Sequence, residues 1–84
     1  MSDELTIMAQ EELNSACALT WAELKRITPW GDSFEGFAPS GRTVEVERRY
    51  LWALDPEGAI IVEIKVRDAA AREGVETRAI LHAP

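Results

Sequence analysis

A nucleophile needs a base within hydrogen-bond reach and a third group to orient that base. The chain offers one cysteine, Cys17, and one histidine, His82, for such a pair. Cys17 falls on the apolar side of an amphipathic segment, the position of a buried, inert thiol rather than of a reactive thiolate. His82 lies two residues from the end of the sequence, on a strand end where catalytic geometry is hard to hold. Together they supply at most two of the ligands a closed zinc site uses, and no pair spacing supports one. Gly31, Gly36 and Gly41 recur at five-residue intervals, but without the strand before and helix after that a phosphate loop requires. They read as turn glycines, and no cofactor is expected.

Two further groups could do chemistry. Glu45 and Glu47 share a strand face as an acid and a base might, yet Arg49 and Arg67 are placed to neutralise them, which makes a solvated ion-pair lattice the simpler reading. Arg48 interrupts an otherwise apolar strand face. A buried guanidinium there needs a carboxylate or an anionic ligand, the starting point for a small carboxylate and Arg48-based enzyme. At a sheet margin it would instead keep its head in water.

These residues are positioned by a small set of elements. From Ala9 to Ile27, the residues Ala9, Leu13, Ala16, Cys17, Thr20, Leu24 and Ile27 fall on one side of a 3.6-residue wheel, predicting an amphipathic helix. A capping-box pattern from Thr20 to Glu23 leaves open a break into two shorter helices. Pro29 ends the helix near Thr28. A short edge strand is expected over Ser33 to Ala38, a turn at Pro39-Ser40-Gly41, and a long strand from Thr43 to Leu54 with Val44, Val46, Tyr50, Trp52 and Leu54 on one face. Asp55-Pro56-Glu57-Gly58 suits a type I turn with Gly58 in a left-handed bulge, which would set Leu54 opposite Ile60, Trp52 opposite Val62, Tyr50 opposite Ile64 and Glu47 opposite Arg67. Asp68 to Gly74 reads as a loop with room for one helical turn. Val75 to His82 is a final strand in which Val75, Thr77, Ala79 and Leu81 compete with Ile80 for the core side. The expected architecture is α+β: an N-terminal amphipathic helix packed on a three- to four-stranded antiparallel β-meander, with residues 1–84 as a single domain.

Composition bounds the function. The chain has 84 residues, 46% hydrophobic content and a formal charge of −6. A chain of this size and content can build one modest core and is not disordered in composition. Scattered cations and a negative balance argue against direct binding to nucleic acid. Uncharged apolar runs are far too short to span a bilayer, and the absence of a disulfide pair or a leader-like start predicts a reducing, cytoplasmic setting.

The charge is also lopsided. Residues 1–24 carry five acids and no base, whereas residues 25–84 carry ten acids and nine bases. Helix-dipole preference accounts for acids in a first turn, but Glu23 adds to the field of Glu11 and Glu12. The acidic end is therefore either a solvated face or a surface for a basic partner. Trp30, Phe34 and Phe37 crowd one Gly-containing segment, either closing a small core or acting as binding anchors. Leu51, Ala53, Ile61 and Ile80 make an apolar island on the outer sheet face, suited to a homodimer or a partner contact unless another segment covers it.

The function expected from these features is a small acidic protein-binding module or inhibitor that occludes a basic, nucleic-acid-binding surface of a larger protein. The alternative is an antitoxin- or immunity-type partner, or an accessory subunit, that binds through the apolar island. In size, charge and lack of a catalytic constellation the chain resembles small phage-encoded inhibitors of bacterial defence, anti-CRISPR proteins among them. That resemblance is one of gross profile and rests on no motif.

Overall fold

The computed structural model describes residues 4–68, 70 and 73–84. Two helices, α1 (Glu4–Cys17) and α2 (Trp21–Ile27), precede four strands, β1 (Trp30–Phe37), β2 (Thr43–Trp52), β3 (Ile60–Asp68) and β4 (Glu73–Leu81). The strands form one antiparallel sheet in the order β1-β2-β3-β4, so the fold is the α+β arrangement expected from the sequence.

The capping box decides the helix break. Thr20 leaves the apolar stripe to become the N-cap of α2, its hydroxyl accepting from the Glu23 amide at 3.1 Å while the Glu23 carboxylate accepts from the Thr20 amide at 2.8 Å. Two otherwise orphaned helix-end donors are thereby satisfied, which a continuous helix through Thr20 could not offer. The carboxylate of Glu23 is held below its usual range by the bonds it accepts from the Thr20 amide and hydroxyl. Beyond Thr28 the chain is extended, as the following proline requires, and β1 begins three residues earlier than expected, at Trp30.

Alternation on β3 drives the core. Ile60, Val62, Ile64 and Val66 are fully buried, and Val44, Val46 and Tyr50 join them from β2. Leu5, Ala9, Leu13 and Ala16 of α1 and Leu24 of α2 close the other side, while Ile27 is largely exposed. In β4 the ambiguity resolves toward Val75, Thr77, Ala79 and Leu81 as the inward set, and Ile80 points outward.

The β2–β3 hairpin is displaced by two residues from the expected register. Trp52 faces Ile60, Tyr50 faces Val62, Arg48 faces Ile64, Glu47 faces Lys65, and Arg67 faces Glu45. Ala53 donates to Ala59 across the hairpin at 2.9 Å, which leaves Leu54 in the turn and 85% exposed rather than in the core. The positive φ, 69°, belongs to Glu57 and not to Gly58. With Pro56 before it and the Gly58 amide donating to the Asp55 carbonyl at 3.0 Å, Glu57 occupies the third position of a type II turn. Helix α2 holds that turn: the Trp21 indole donates to the Gly58 carbonyl at 2.8 Å, and Lys25 pairs with Glu57 at 2.9 Å. Of the loop expected after Asp68, with its room for one helical turn, positions 69, 71 and 72 lie outside the described residues. Asp68 and Gly74 themselves belong to strands.

At the opposite end Arg42 fastens the sheet to the first turn of α1. Its guanidinium donates to Glu4 at 2.7 Å and to Asp68 and Glu73 at 3.1 Å each. Asp68, the one buried charged side chain among the described residues, also accepts from the Ala70 amide at 3.0 Å. Glu4 accepts in addition from the Ser40 hydroxyl and amide, and these bonds, with Arg42, hold its carboxyl below the usual range.

Gly41 has φ of +96°, closing the Ala38–Arg42 turn, whereas a Cβ on Gly36 would meet open space. Gly41→Ala should therefore lower unfolding free energy by about 1–2 kcal/mol, while Gly36→Ala should be neutral or stabilise by up to about 1 kcal/mol. Urea denaturation of the two variants checks this pair of outcomes.

Candidate functional site: the uncovered flank of the sheet

Helix α1 packs on β3 and β4, and the inward face of β1 extends beyond it. Cross-strand pairing places Trp30, Asp32, Phe34 and Gly36 on that face, opposite Tyr50, Arg48, Val46 and Val44. Trp30 and Phe34 remain 39% and 38% exposed. The molecule is elongated, 40 × 17 × 17 Å along its principal axes with a radius of gyration of 13.6 Å, against about 12 Å for a compact chain of this length.

Arg48 organises this flank. Its guanidinium carbon stands 5.4 Å from the centre of the Trp30 ring and 5.1 Å from that of Phe34, within cation–π range of both. Its fork is bidentate to Asp32, at 2.8 and 2.5 Å. The Trp30 ring also leans on Tyr50, centroid to centroid 5.1 Å. A planar guanidinium suits this geometry because it can bond a carboxylate along its edge while presenting its faces to aromatic rings. The interruption that Arg48 makes in the apolar face is thus satisfied by a carboxylate one strand away.

Arg48 holds the Asp32 carboxyl below its ordinary value, chiefly through the hydrogen bonds and then through its charge. The Arg48 pKa is raised in return, mainly by Asp32. Glu12 of α1 approaches Arg48 at 3.9 Å, outside hydrogen-bond distance. Between them lies a groove of about 160 Å³ lined by Glu12, Ser15, Ala16, Leu19, Arg48 and Tyr50. One carboxylate lines this groove among the described residues, beside a guanidinium already engaged by Asp32.

The structure distributes the remaining candidates over three other places. Glu11 is exposed on α1 with no described cation in ion-pair range, and Glu23 is engaged in the capping box. Phe37, at the end of β1, is 73% exposed and belongs to the opposite, outer face of the sheet. Leu51, Ile61 and Ile80 align directly across β2, β3 and β4 on that outer face, and Ile80 is half exposed. Beside this apolar row runs a ladder of ion pairs, Arg49 with Glu63, Lys65 with Glu47 and Arg67 with Glu45. Cys17 is partly buried, and burial pushes its thiol up from the ordinary value, away from thiolate reactivity.

Sequence reasoning missed Asp32 as the partner of Arg48 and Arg42 as a node for three carboxylates. A signal existed for the second: Asp68 continues the inward set Ile60, Val62, Ile64 and Val66, so an inward carboxylate required a cation. For the first, Asp32 precedes the edge strand expected from Ser33, so the sequence assigns it no register with Arg48.

The fold and this flank define a class: an α+β protein with a helical layer on one side of its sheet and an aromatic, arginine-centred surface left open beside it. Compared with protein-family models, with curated proteins and with solved structures, the chain has no match in any of the three. Among the described residues no helix is long and apolar enough to cross a membrane.

Because the Asp32 pKa is depressed on folding, its pairing stabilises the fold above the ordinary carboxylate value of about 3.9 and is lost as pH falls through the lower folded value. Carboxyl-carbon NMR titration should find Asp32 below the usual aspartate midpoint in the native protein. In Arg48→Met that midpoint should move back up, with reduced stability near neutral pH.

Proposed function

We propose that the protein is a binding module that docks on, and blocks, a basic surface of another protein through the flank formed by Trp30, Phe34, Arg48, Asp32 and the neighbouring Glu12. The observation that carries this reading is the Arg48 guanidinium held between two half-exposed aromatic rings by a bidentate carboxylate. Aromatic residues and arginine are the types that dominate binding energy at protein interfaces, and rigid anchors lose little entropy on docking.

Charge supports the choice of partner. Arg48 is outnumbered on the flank by Asp32 and Glu12, and the whole chain carries −6. Glu12 has spare acceptor capacity because Asp32 takes the Arg48 fork. A basic surface, such as the nucleic-acid groove of a larger machine, would be steered to this flank and held there by its aromatic anchors. An inhibitor of the anti-CRISPR kind is the most specific form of the proposal, and a cytoplasmic setting fits it.

The aligned row Leu51, Ile61 and Ile80 favours a second reading, in which an antitoxin- or immunity-type contact, or a homodimer, uses the outer face. The two readings separate by salt and by variant. In affinity capture from nuclease-treated lysate of the native host, the proposed function predicts a basic protein retained at low salt and released at high salt. Trp30→Ala and Phe34→Ala should each weaken its capture about tenfold or more, with Ile61→Ser unchanged. A salt-resistant partner lost with Ile61→Ser and retained by Phe34→Ala would transfer the function to the outer face.

A further inference from the structure

We infer that the free edge of β1 is a strand-addition site, and that its occupant is an extended segment of the partner carrying lysine or arginine. This deepens the proposed function and rests on its assignment of the flank as the docking surface.

Strand β1 is an outermost strand eight residues long and contains no proline or lysine. Its pairing phase identifies the groups that are free. The Ala38 amide donates to the Arg42 carbonyl at 2.9 Å, in line with the β1–β2 register. Hydrogen-bonded positions alternate along an antiparallel pair, so Trp30, Asp32, Phe34 and Gly36 bond to β2. Gly31, Ser33, Glu35 and Phe37 direct their amides and carbonyls away from the sheet, in the arrangement that accepts another strand.

The charge on this edge selects the occupant. Glu35 stands directly opposite Glu45, a like-charge cross-strand pair. Glu45 is relieved by Arg67 on its other side, whereas no described cation pairs with Glu35. Like charges in direct opposition are unfavourable, and a cation on an added strand next to Glu35 would remove that penalty. A second β1 could not supply it, because β1 carries Asp32 and Glu35 and no cation. The single sign of charge therefore opposes self-pairing and leaves a basic strand as the complementary partner. On the inner face, alternate side chains of the same added strand would lie beside Trp30 and Phe34, so one segment would use both the edge and the aromatic flank.

The probe is an acetylated and amidated octapeptide of alternating lysine and valine, titrated into the isotope-labelled full chain. Amide exchange should slow at Gly31, Ser33, Glu35 and Phe37, and a glutamate–valine peptide should produce no protection. Glu35→Lys should weaken the lysine peptide roughly fivefold and allow the glutamate peptide to bind. Ser33→Pro removes an edge donor without breaking a β1–β2 hydrogen bond, and it should abolish protection while the fold, checked by the amide spectrum, is retained. Protection at β4 instead, or binding indifferent to both Glu35→Lys and Ser33→Pro, would overturn the inference. In the lysate capture, loss with Phe34→Ala but full retention with Ser33→Pro would sink strand addition alone. Peptide protection on β1 with capture indifferent to Phe34→Ala would sink the proposed function instead.

Discussion

A helix about 10 Å across covers roughly two strands of a sheet whose strands stand about 4.8 Å apart. With one fourteen-residue helix over β3 and β4, the inward side of β1 and part of β2 must find another solution. That solution is Arg48. An apolar residue at its position would have extended the core face toward an edge with no second layer to bury it. A guanidinium bonded to Asp32 and flanked by Trp30 and Phe34 instead makes a surface that tolerates water and presents large aromatic area. The outer face meets the same constraint in the ordinary antiparallel way, with crossed ion pairs facing solvent and one apolar row at the hairpin end.

The arginines divide the labour of holding this arrangement together. Arg42 joins the first turn of α1 to the ends of β3 and β4 through Glu4, Asp68 and Glu73, and the Asp68 carboxylate that it reaches is buried. Arg49 and Arg67 pair across strands on the outer face. The cations are thus largely consumed by internal pairing, and the negative surplus is left on groups such as Glu11 and Glu35, which have no described cation partner. Net charge alone did not locate that surplus; the pairing pattern does.

Much of the architecture was legible in local chemistry. The capping box at Thr20 and Glu23, the stop before Pro29, the turn at Gly41 and the alternation of Ile60, Val62, Ile64 and Val66 each correspond to an observed feature. The hairpin register was only half legible. Alternation specifies which side chains share a face, and a slip of two residues preserves that parity, so the pattern could not distinguish Trp52 opposite Val62 from Trp52 opposite Ile60. The observed register comes with tertiary contacts that the hairpin's own sequence does not contain: Trp21 and Lys25 of α2 hold the turn at Gly58 and Glu57. Arg48 was conspicuous in the sequence, but Asp32 was not, because its role exists only once β1 begins at Trp30 and pairs Asp32 with Arg48. Of the acidic residues in the first 24, Glu23 is used by the capping box and Glu12 leans toward Arg48, so the acidic end is partly structural.

The most direct test is site-specific photo-crosslinking in the native host, with benzoylphenylalanine placed in turn at Phe34, at Ile61 on the outer face and at the exposed Ile7 of α1. A basic protein joined through position 34, and not through 61 or 7, is the result expected if the flank is the docking surface. Adducts through position 61 with none through 34 would contradict it and make the Leu51, Ile61 and Ile80 row the functional face.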